Sequence, residues 1–235
     1  MKKFSLAVAC FSFLLISCSS DDNALTAETV NQSNFINPQA GYRVVTDPKN
    51  LSNVYDGAGK MHAEILDEYL GHFTPTSVLS TVIYDVEDTS DGNSSFTAIS
   101  STYSGITTTA LSTVISNATT PSTIITATTS TSVRGRNRLK DFTDMLPGFE
   151  TADYADVYDD IVDFEASIIA DTLLTTADMQ LILTTTSIAR YGISYAKDRN
   201  RGWVKTQSSI VGAISGANTN TATAVITSVA AGAAD

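Results

Sequence analysis

The residue types best suited to chemistry lie close together, between Tyr55 and His62. Aspartate and histidine often act as general acids, general bases or metal ligands, and a tyrosine hydroxyl can donate a proton. Tyr55, Asp56 and His62 therefore define a candidate hydrolytic or metal-dependent site, with Asp56 and His62 as its catalytic candidates. His72, the only other histidine, is about 15 Å further along a helix and off this face. The two histidines cannot share a metal on one helix.

A predicted helix over residues 53–73 positions these side chains. Asp56, Lys60, Glu64 and Glu68 follow at steps of four and are expected to face solvent. An apolar stripe with steps of three and four is expected to face the core. It consists of Tyr55, Ala58, Gly59, His62, Ile65, Leu66, Tyr69 and Phe73. On this alternative view His62 is a hydrogen-bonded core residue, and Asp56 is a favourable charge at a helix N-terminus.

The same periodicity continues along the chain and predicts an all-α, single domain of about five to seven helices over residues 53–235. A second helix follows Pro75. Residues 95–117, although rich in Ser and Thr, keep steps of three and four and are predicted as one helix. Residues 122–133 are left open between a poor helix and a loop. An acidic helix around Asp153–Asp163 and a long helix beginning near Thr176 come next.

Small residues are regularly spaced in the final segment, Trp203–Ala234. Ser208, Gly212 and Gly216 recur every four residues, which lets two helix backbones approach closely. We expect Gly59 to supply the partner surface. Polar residues interrupt the segment, so it is not predicted to span a membrane.

The N-terminus has the pattern of a secretory signal over residues 1–17. Lys2 and Lys3 precede a short apolar run that ends at Ile16. Leu15-Ile16-Ser17-Cys18 resembles the lipobox of bacterial lipoproteins. The resemblance implies cleavage before Cys18 and its acylation by diacylglycerol and a further chain such as palmitate, which anchors the protein in a lipid bilayer. Residues 18–52 are predicted to form the acylated N-terminus and a mostly disordered tether.

The residues after Cys18 bear on the location. Ser19-Ser20-Asp21-Asp22-Asn23 resembles the acidic export tag of Bacteroidetes lipoproteins, which implies the outer face of the outer membrane. The periplasmic face is the alternative. A formal net charge of −11 disfavours nucleic acid as a partner. Loss of Cys10 with the signal and acylation of Cys18 would leave no free thiol, and no cofactor or metal site is predicted.

A longer pattern carries a family resemblance. Val54-Tyr55-Asp56-x-x-Gly59-x-x-His62-x-x-x-Leu66 is similar to a signature of uncharacterised Bacteroidetes lipoproteins, as are Ser187–Tyr195 and Trp203–Ala217. Val54 and Ala63 depart from that signature. The resemblance implies a fold and a location but no activity. Separately, Asp171-Thr172-Leu173 resembles an O-glycosylation acceptor of Bacteroidetes envelopes, with Thr172 as the modified residue.

Three functional hypotheses follow. The first is a non-enzymatic, surface-anchored lipoprotein with an interaction or envelope role. The second is an envelope hydrolase or metal-dependent enzyme centred on Tyr55, Asp56 and His62. The third is a small-ligand-binding lipoprotein with a pocket between helices.

Overall fold

The computed structural model describes residues 47–235, and this part of the chain contains ten α-helices and one turn of 3₁₀-helix. Because none of these residues lies in a β-strand, the all-α prediction is confirmed. Cys18, the signal segment and most of the predicted tether lie outside the described residues. The helices are α1 (Asp56–His72), α2 (Leu79–Asp91), α3 (Ser94–Thr97), α4 (Thr108–Ser116), α5 (Ser122–Ala127), α6 (Val133–Phe149), α7 (Tyr154–Ile169), α8 (Thr176–Asp198), α9 (Trp203–Ala217) and α10 (Thr221–Ala233), with the 3₁₀ turn at Ser100–Thr102.

The Ser/Thr-rich segment raises the helix count above the predicted five to seven. The single helix predicted over 95–117 is wrong, because α3 ends at Thr97 and α4 begins only at Thr108. Between them Gly105 has a φ of 73°, a left-handed conformation that a regular helix does not contain. Thr107 then caps α4 by accepting a hydrogen bond from the Ala110 N–H. Residues 122–133 divide into the short helix α5 and a loop.

Helix α10 is the centre of the core. Every residue from Ala222 to Ala233 is buried, and α10 contacts α9, α1, α2, α8 and α4. A helix whose residues are apolar or small on all sides is suited to such a position. Within residues 47–235, no helix is both long enough and apolar enough to cross a bilayer.

The small residues of the final segment do form a close helix contact, but with a different partner from the one predicted. The segment turns at residues 218–220, so that α9 packs directly against α10. A Cβ added at Gly216 would lie 2.5 Å from the Thr223 carbonyl oxygen, and one at Gly212 would lie 2.7 Å from that of Thr227. Gly59 instead packs against Ser187 of α8, so the predicted contact of Gly59 with the glycines of α9 is wrong.

The start of α8 is fixed by its own side chains and by α6. Thr175 and Asp178 form a capping box, and Asp178 also accepts hydrogen bonds from the Ser132 N–H and hydroxyl, both at 2.8 Å. Burial opposes ionisation of Asp178, but these hydrogen bonds outweigh it and hold its pKa below the ordinary value. Gly135 leaves room for the Asp178 carboxylate, which a Cβ at position 135 would strike.

Candidate functional site

Helix α1 separates the predicted site residues instead of bringing them together. Asp56 lies in its first turn against α8, whereas His62 lies about 9 Å further along and contacts Ser228 of α10. Tyr55 is half-buried at the start of the helix and packs against the core. The catalytic arrangement that the enzyme hypothesis requires is therefore not assembled from these three residues.

The carboxylate of Asp56 faces inward, which corrects the expectation that it faces solvent. Its side chain is 15% exposed and lies 2.8 Å from the Arg190 guanidinium. The same oxygen accepts the Asn50 N–H at 3.0 Å, and the other oxygen accepts the Tyr191 hydroxyl at 3.1 Å. Burial and the nearby Asp56 charge raise the pKa of Tyr191, so this hydroxyl keeps its proton and remains a donor.

A second carboxylate, that of Glu165 on α7, shares the same guanidinium. Glu165 and Arg190 are both fully buried, and their nearest charged atoms are 3.3 Å apart. Burial would lower the pKa of Arg190, but the Glu165 and Asp56 carboxylates outweigh it and raise that pKa, so the arginine stays charged. Sequence reasoning missed both Glu165 and Arg190.

Three further side chains donate to Glu165. The Asn50 amide donates at 2.6 Å, the Asn53 amide at 2.8 Å and the Thr186 hydroxyl at 2.8 Å. We call the group of six the Arg190 cluster; it consists of Asn50, Asn53, Asp56, Glu165, Thr186 and Arg190.

The Arg190 cluster is a buried ion group whose two carboxylates each have several hydrogen-bond partners. Both carboxylates already accept several hydrogen bonds from charged and neutral donors, so neither is a free base. Two guanidinium nitrogens of Arg190, Nε and Nη1, have no hydrogen-bond partner among the described residues. The cluster ties the segment that precedes α1 to α7 and α8, and this is a structural role.

His62 occupies a second, uncharged site on the same helix. It is fully buried, and its Nδ1 lies 2.8 Å from the hydroxyl oxygen of Ser228. The Ser228 hydroxyl donates to the Val225 carbonyl at 2.8 Å, so the histidine must supply the proton between Nδ1 and Ser228. Burial, with a smaller contribution from the charge of Arg201, lowers the pKa of His62 to about 3. The imidazole is neutral at physiological pH.

A serine bonded to a histidine is also an arrangement used for nucleophilic catalysis. Here the Ser228 proton is already donated to Val225, and both side chains of the pair are fully buried in the core. The second ring nitrogen, Nε2, has no hydrogen-bond partner among residues 47–235 and lies beside Gly192. No carboxylate of the described residues orients the ring, so this geometry fits packing and does not fit a nucleophile.

The remaining predicted residues lie apart from these two sites. His72 is exposed, and its Nδ1 is 2.9 Å from the Glu68 carbonyl oxygen. Thr172 is exposed in the turn between α7 and α8, next to an Asp171 carboxylate that pairs with Arg134 at 2.7 Å. Within the described part of the chain, no group of three or more His, Cys, Asp or Glu side chains could hold a metal ion.

Three clefts between helices, of about 180 to 290 Å³, lie away from the Arg190 cluster and from His62. One, of about 200 Å³, lies between α4, α5 and α9 and is lined by residues such as Thr113, Ile124 and Ser215. Pockets that enclose drug-sized ligands usually measure about 300–1,000 Å³. This cleft does not by itself favour the small-ligand hypothesis.

Comparison of the chain with protein-family models, with curated proteins and with solved structures found no match in any of the three. A functional conclusion therefore rests on the sequence patterns together with the arrangement of side chains.

Proposed function

We propose that the chain is a bacterial lipoprotein, anchored in the outer membrane through acylated Cys18, whose helical body has a non-enzymatic interaction role at the cell surface. The observation that carries this proposal is Leu15-Ile16-Ser17-Cys18, placed directly after a short apolar run with two lysines before it. Its resemblance to a lipobox, and that of Ser19–Asn23 to a surface-export tag, supply the anchor and the location.

The described residues support the non-enzymatic part of the proposal. Asp56 is paired with Arg190, and His62 is neutral and fully buried against Ser228. Both candidate catalytic residues thus have packing partners that account for them. This geometry favours an interaction role over the hydrolase or metal-dependent enzyme centred on Tyr55, Asp56 and His62.

Acylation is tested by comparing two cysteine variants in the native host or a related bacterium. We expect Cys18→Ala to abolish incorporation of a palmitate analogue into the protein, because the thiol is the site of lipid attachment. Cys10→Ala is the matched control, since Cys10 lies within the predicted signal and should leave incorporation unchanged. Lipid incorporation into the Cys18→Ala protein would refute the anchor.

The face of the membrane is tested with protease added to intact cells. A surface-exposed protein should be degraded, and changing Asp21 and Asp22 to Ala should protect it by removing the acidic tag. A periplasmic protein would resist digestion with or without these changes, and that result would replace the surface location with the periplasmic face.

Glycosylation of Thr172 is a further part of the proposal. Exposure of Thr172 in the turn between α7 and α8 makes the hydroxyl accessible to a modifying enzyme. The intact mass of the protein purified from its host should exceed the mass of the lipidated chain, and Thr172→Ala should remove that excess. An excess over the calculated mass that persists in the Thr172→Ala variant would exclude modification at this position.

A further inference from the structure

The turn formed by residues 50–54, which we call the pre-helix turn, presents two aliphatic side chains to solvent. Leu51 is 81% exposed and Val54 is 82% exposed, the largest exposures among the bulky apolar residues of the described chain. Asn50 and Asn53, the residues that directly precede them, are buried. The turn thus buries its amides and exposes its aliphatic groups, the reverse of the usual preference.

Hydrogen bonds hold the pre-helix turn in this orientation. Asn53 donates to Glu165 at 2.8 Å and to the Leu183 carbonyl at 2.9 Å. Asn50 donates to Glu165 at 2.6 Å, and its own amide oxygen accepts the Ser52 N–H at 3.1 Å. Because these bonds fix the backbone, Leu51 and Val54 cannot turn toward the core, and little ordering is needed before they bind elsewhere.

We propose that the pre-helix turn docks on the lipid bilayer by inserting Leu51 and Val54 into its interface. This inference rests on the anchoring of Cys18 proposed above. The chain between Cys18 and Asp47 can span at most about 100 Å, so an anchored body stays close to the bilayer and meets it at high effective concentration. The pre-helix turn lies only three residues after Asp47, which makes it the part of the body nearest to the anchor along the chain.

The distribution of charge also favours the pre-helix turn as the part of the body that docks. Residues 47–60 contain two aspartates and two lysines, in a chain whose formal net charge is −11. One of the aspartates, Asp56, is paired with Arg190 and only 15% exposed, whereas Lys49 and Lys60 are exposed. An anionic membrane surface repels an acidic protein, so a neutral region with protruding aliphatic groups is the one that can approach it.

The test measures the depth of single positions in the membrane. The full chain is purified from its host in lipidated form, labelled at one introduced cysteine with an environment-sensitive fluorophore, and reconstituted. The vesicles contain phosphatidylethanolamine and phosphatidylglycerol with a spin-labelled phosphatidylcholine as quencher. Leu51→Cys and Val54→Cys report on the turn, and Tyr84→Cys and Val204→Cys, which are exposed on α2 and α9, are the matched controls.

We expect quenching at positions 51 and 54 about twofold or more above that at 84 and 204, since a docked side chain enters the interface by about 5–10 Å. Equal quenching at all four positions, in protein that floats with the vesicles, overturns the docking and leaves the anchor intact. Protein that fails to float overturns the anchor and the docking together. A blue shift at position 51 without lipid quenching indicates a protein contact, such as a second copy, and also overturns the docking.

A second variant separates insertion from mere proximity to the anchor. With the label at Lys49→Cys, the double substitution Leu51→Ser and Val54→Ser should reduce quenching to the level of the controls. Quenching that persists in this variant would show that the tether alone holds the region near lipid. Helical circular dichroism should be unchanged, because both substituted side chains are exposed.

Discussion

Two polar sites on α1 differ in charge: the one at Asp56 is ionic, and the one at His62 is uncharged. At the start of the helix, the Asp56 carboxylate lies beside the Arg190 guanidinium, which Glu165 also contacts. At His62, about 9 Å further along, the ring contacts one hydroxyl and has no carboxylate partner within residues 47–235. Burying a charge is costly unless it is paired and hydrogen-bonded, so the first site stays ionic and the second gives up its proton. Neither arrangement is evident from residue types alone.

The largest expected effect comes from breaking the ionic site. Arg190→Met removes the cation that contacts both carboxylates, and the free energy of unfolding should fall by about 3–5 kcal/mol because buried Glu165 loses its counter-charge. Urea denaturation followed by circular dichroism measures the loss. Arg134→Met is the control, since Arg134 pairs with Asp171 at the surface and should cost much less.

If Arg190→Met does not fold alone, a second substitution keeps the comparison measurable. Adding Glu165→Gln should recover part of the lost stability, because the uncompensated buried charge is then removed. Equal losses in the Arg190→Met and Arg134→Met proteins would show that the buried position of the first pair is energetically irrelevant.

Acidification should destabilise the folded protein through His62. The pKa of His62 is about 3 in the folded protein and about 6.5 in the unfolded chain, so below pH 6.5 the unfolded state binds the extra proton. The free energy of unfolding should therefore be unaffected by His62 above pH 7 and fall by about 3 kcal/mol by pH 4, with no further loss much below pH 3.

Carboxylates also titrate in this range, so the pH dependence is compared with that of His62→Asn, whose amide can donate to Ser228 in place of Nδ1. Denaturation midpoints measured from pH 7 to pH 4 should fall less in the variant, even though its stability at pH 7 is lower. Parallel curves for the two proteins would mean that His62 is protonated in the folded state.

An intermediate effect is expected where α1 and α8 touch between the two sites. In Gly59→Ala the added Cβ would overlap the Ser187 carbonyl oxygen, which is backbone, so the helices must separate. We expect a loss of about 1–3 kcal/mol in thermal or urea unfolding. Gly57→Ala, two residues earlier in the same helix, has open space and should be neutral or gain up to about 1 kcal/mol. A loss in both variants would remove the close contact as the explanation.

The smallest effect should come from the exposed face of α1. Lys60 and Glu64 lie 3.6 Å apart with side chains 60% and 42% exposed. Lys60→Met should change the free energy of unfolding by no more than about 0.5 kcal/mol. The change should vanish in high salt, and a salt-independent loss would point to packing of the Lys60 side chain.

Local patterns were sufficient for most of the helices. The stripe through Ile65 and Tyr69 predicts α1, and the start of α8 at Thr176 agrees with its periodicity. The helix predicted over 95–117 failed because every third or fourth residue is apolar even where turns interrupt the chain. Ser and Thr favour local hydrogen bonds to the backbone over a long helix, and Gly105 adopts a left-handed conformation there.

The partners of the candidate residues could not be predicted from one sequence, because they are distant along it. Asp56 and Arg190 are 134 positions apart, and His62 and Ser228 are 166 positions apart. Only the helical face of His62 carried a signal, and it correctly indicated burial. The prediction that Asp56 faces outward was wrong, since an arginine on another helix can draw a first-turn carboxylate inward at no cost to the helix.

Every helix that contacts the central helix α10 precedes it in the chain. During synthesis at about 5–20 residues per second, on the order of 10 to 30 seconds separate the start of α1 from the start of α10. Over that interval the inward faces of α1, α8 and α9 lack their shared partner, and the core cannot close. A nascent chain with this order of helices keeps apolar surfaces exposed until residues 221–233, its last described helix, have been made.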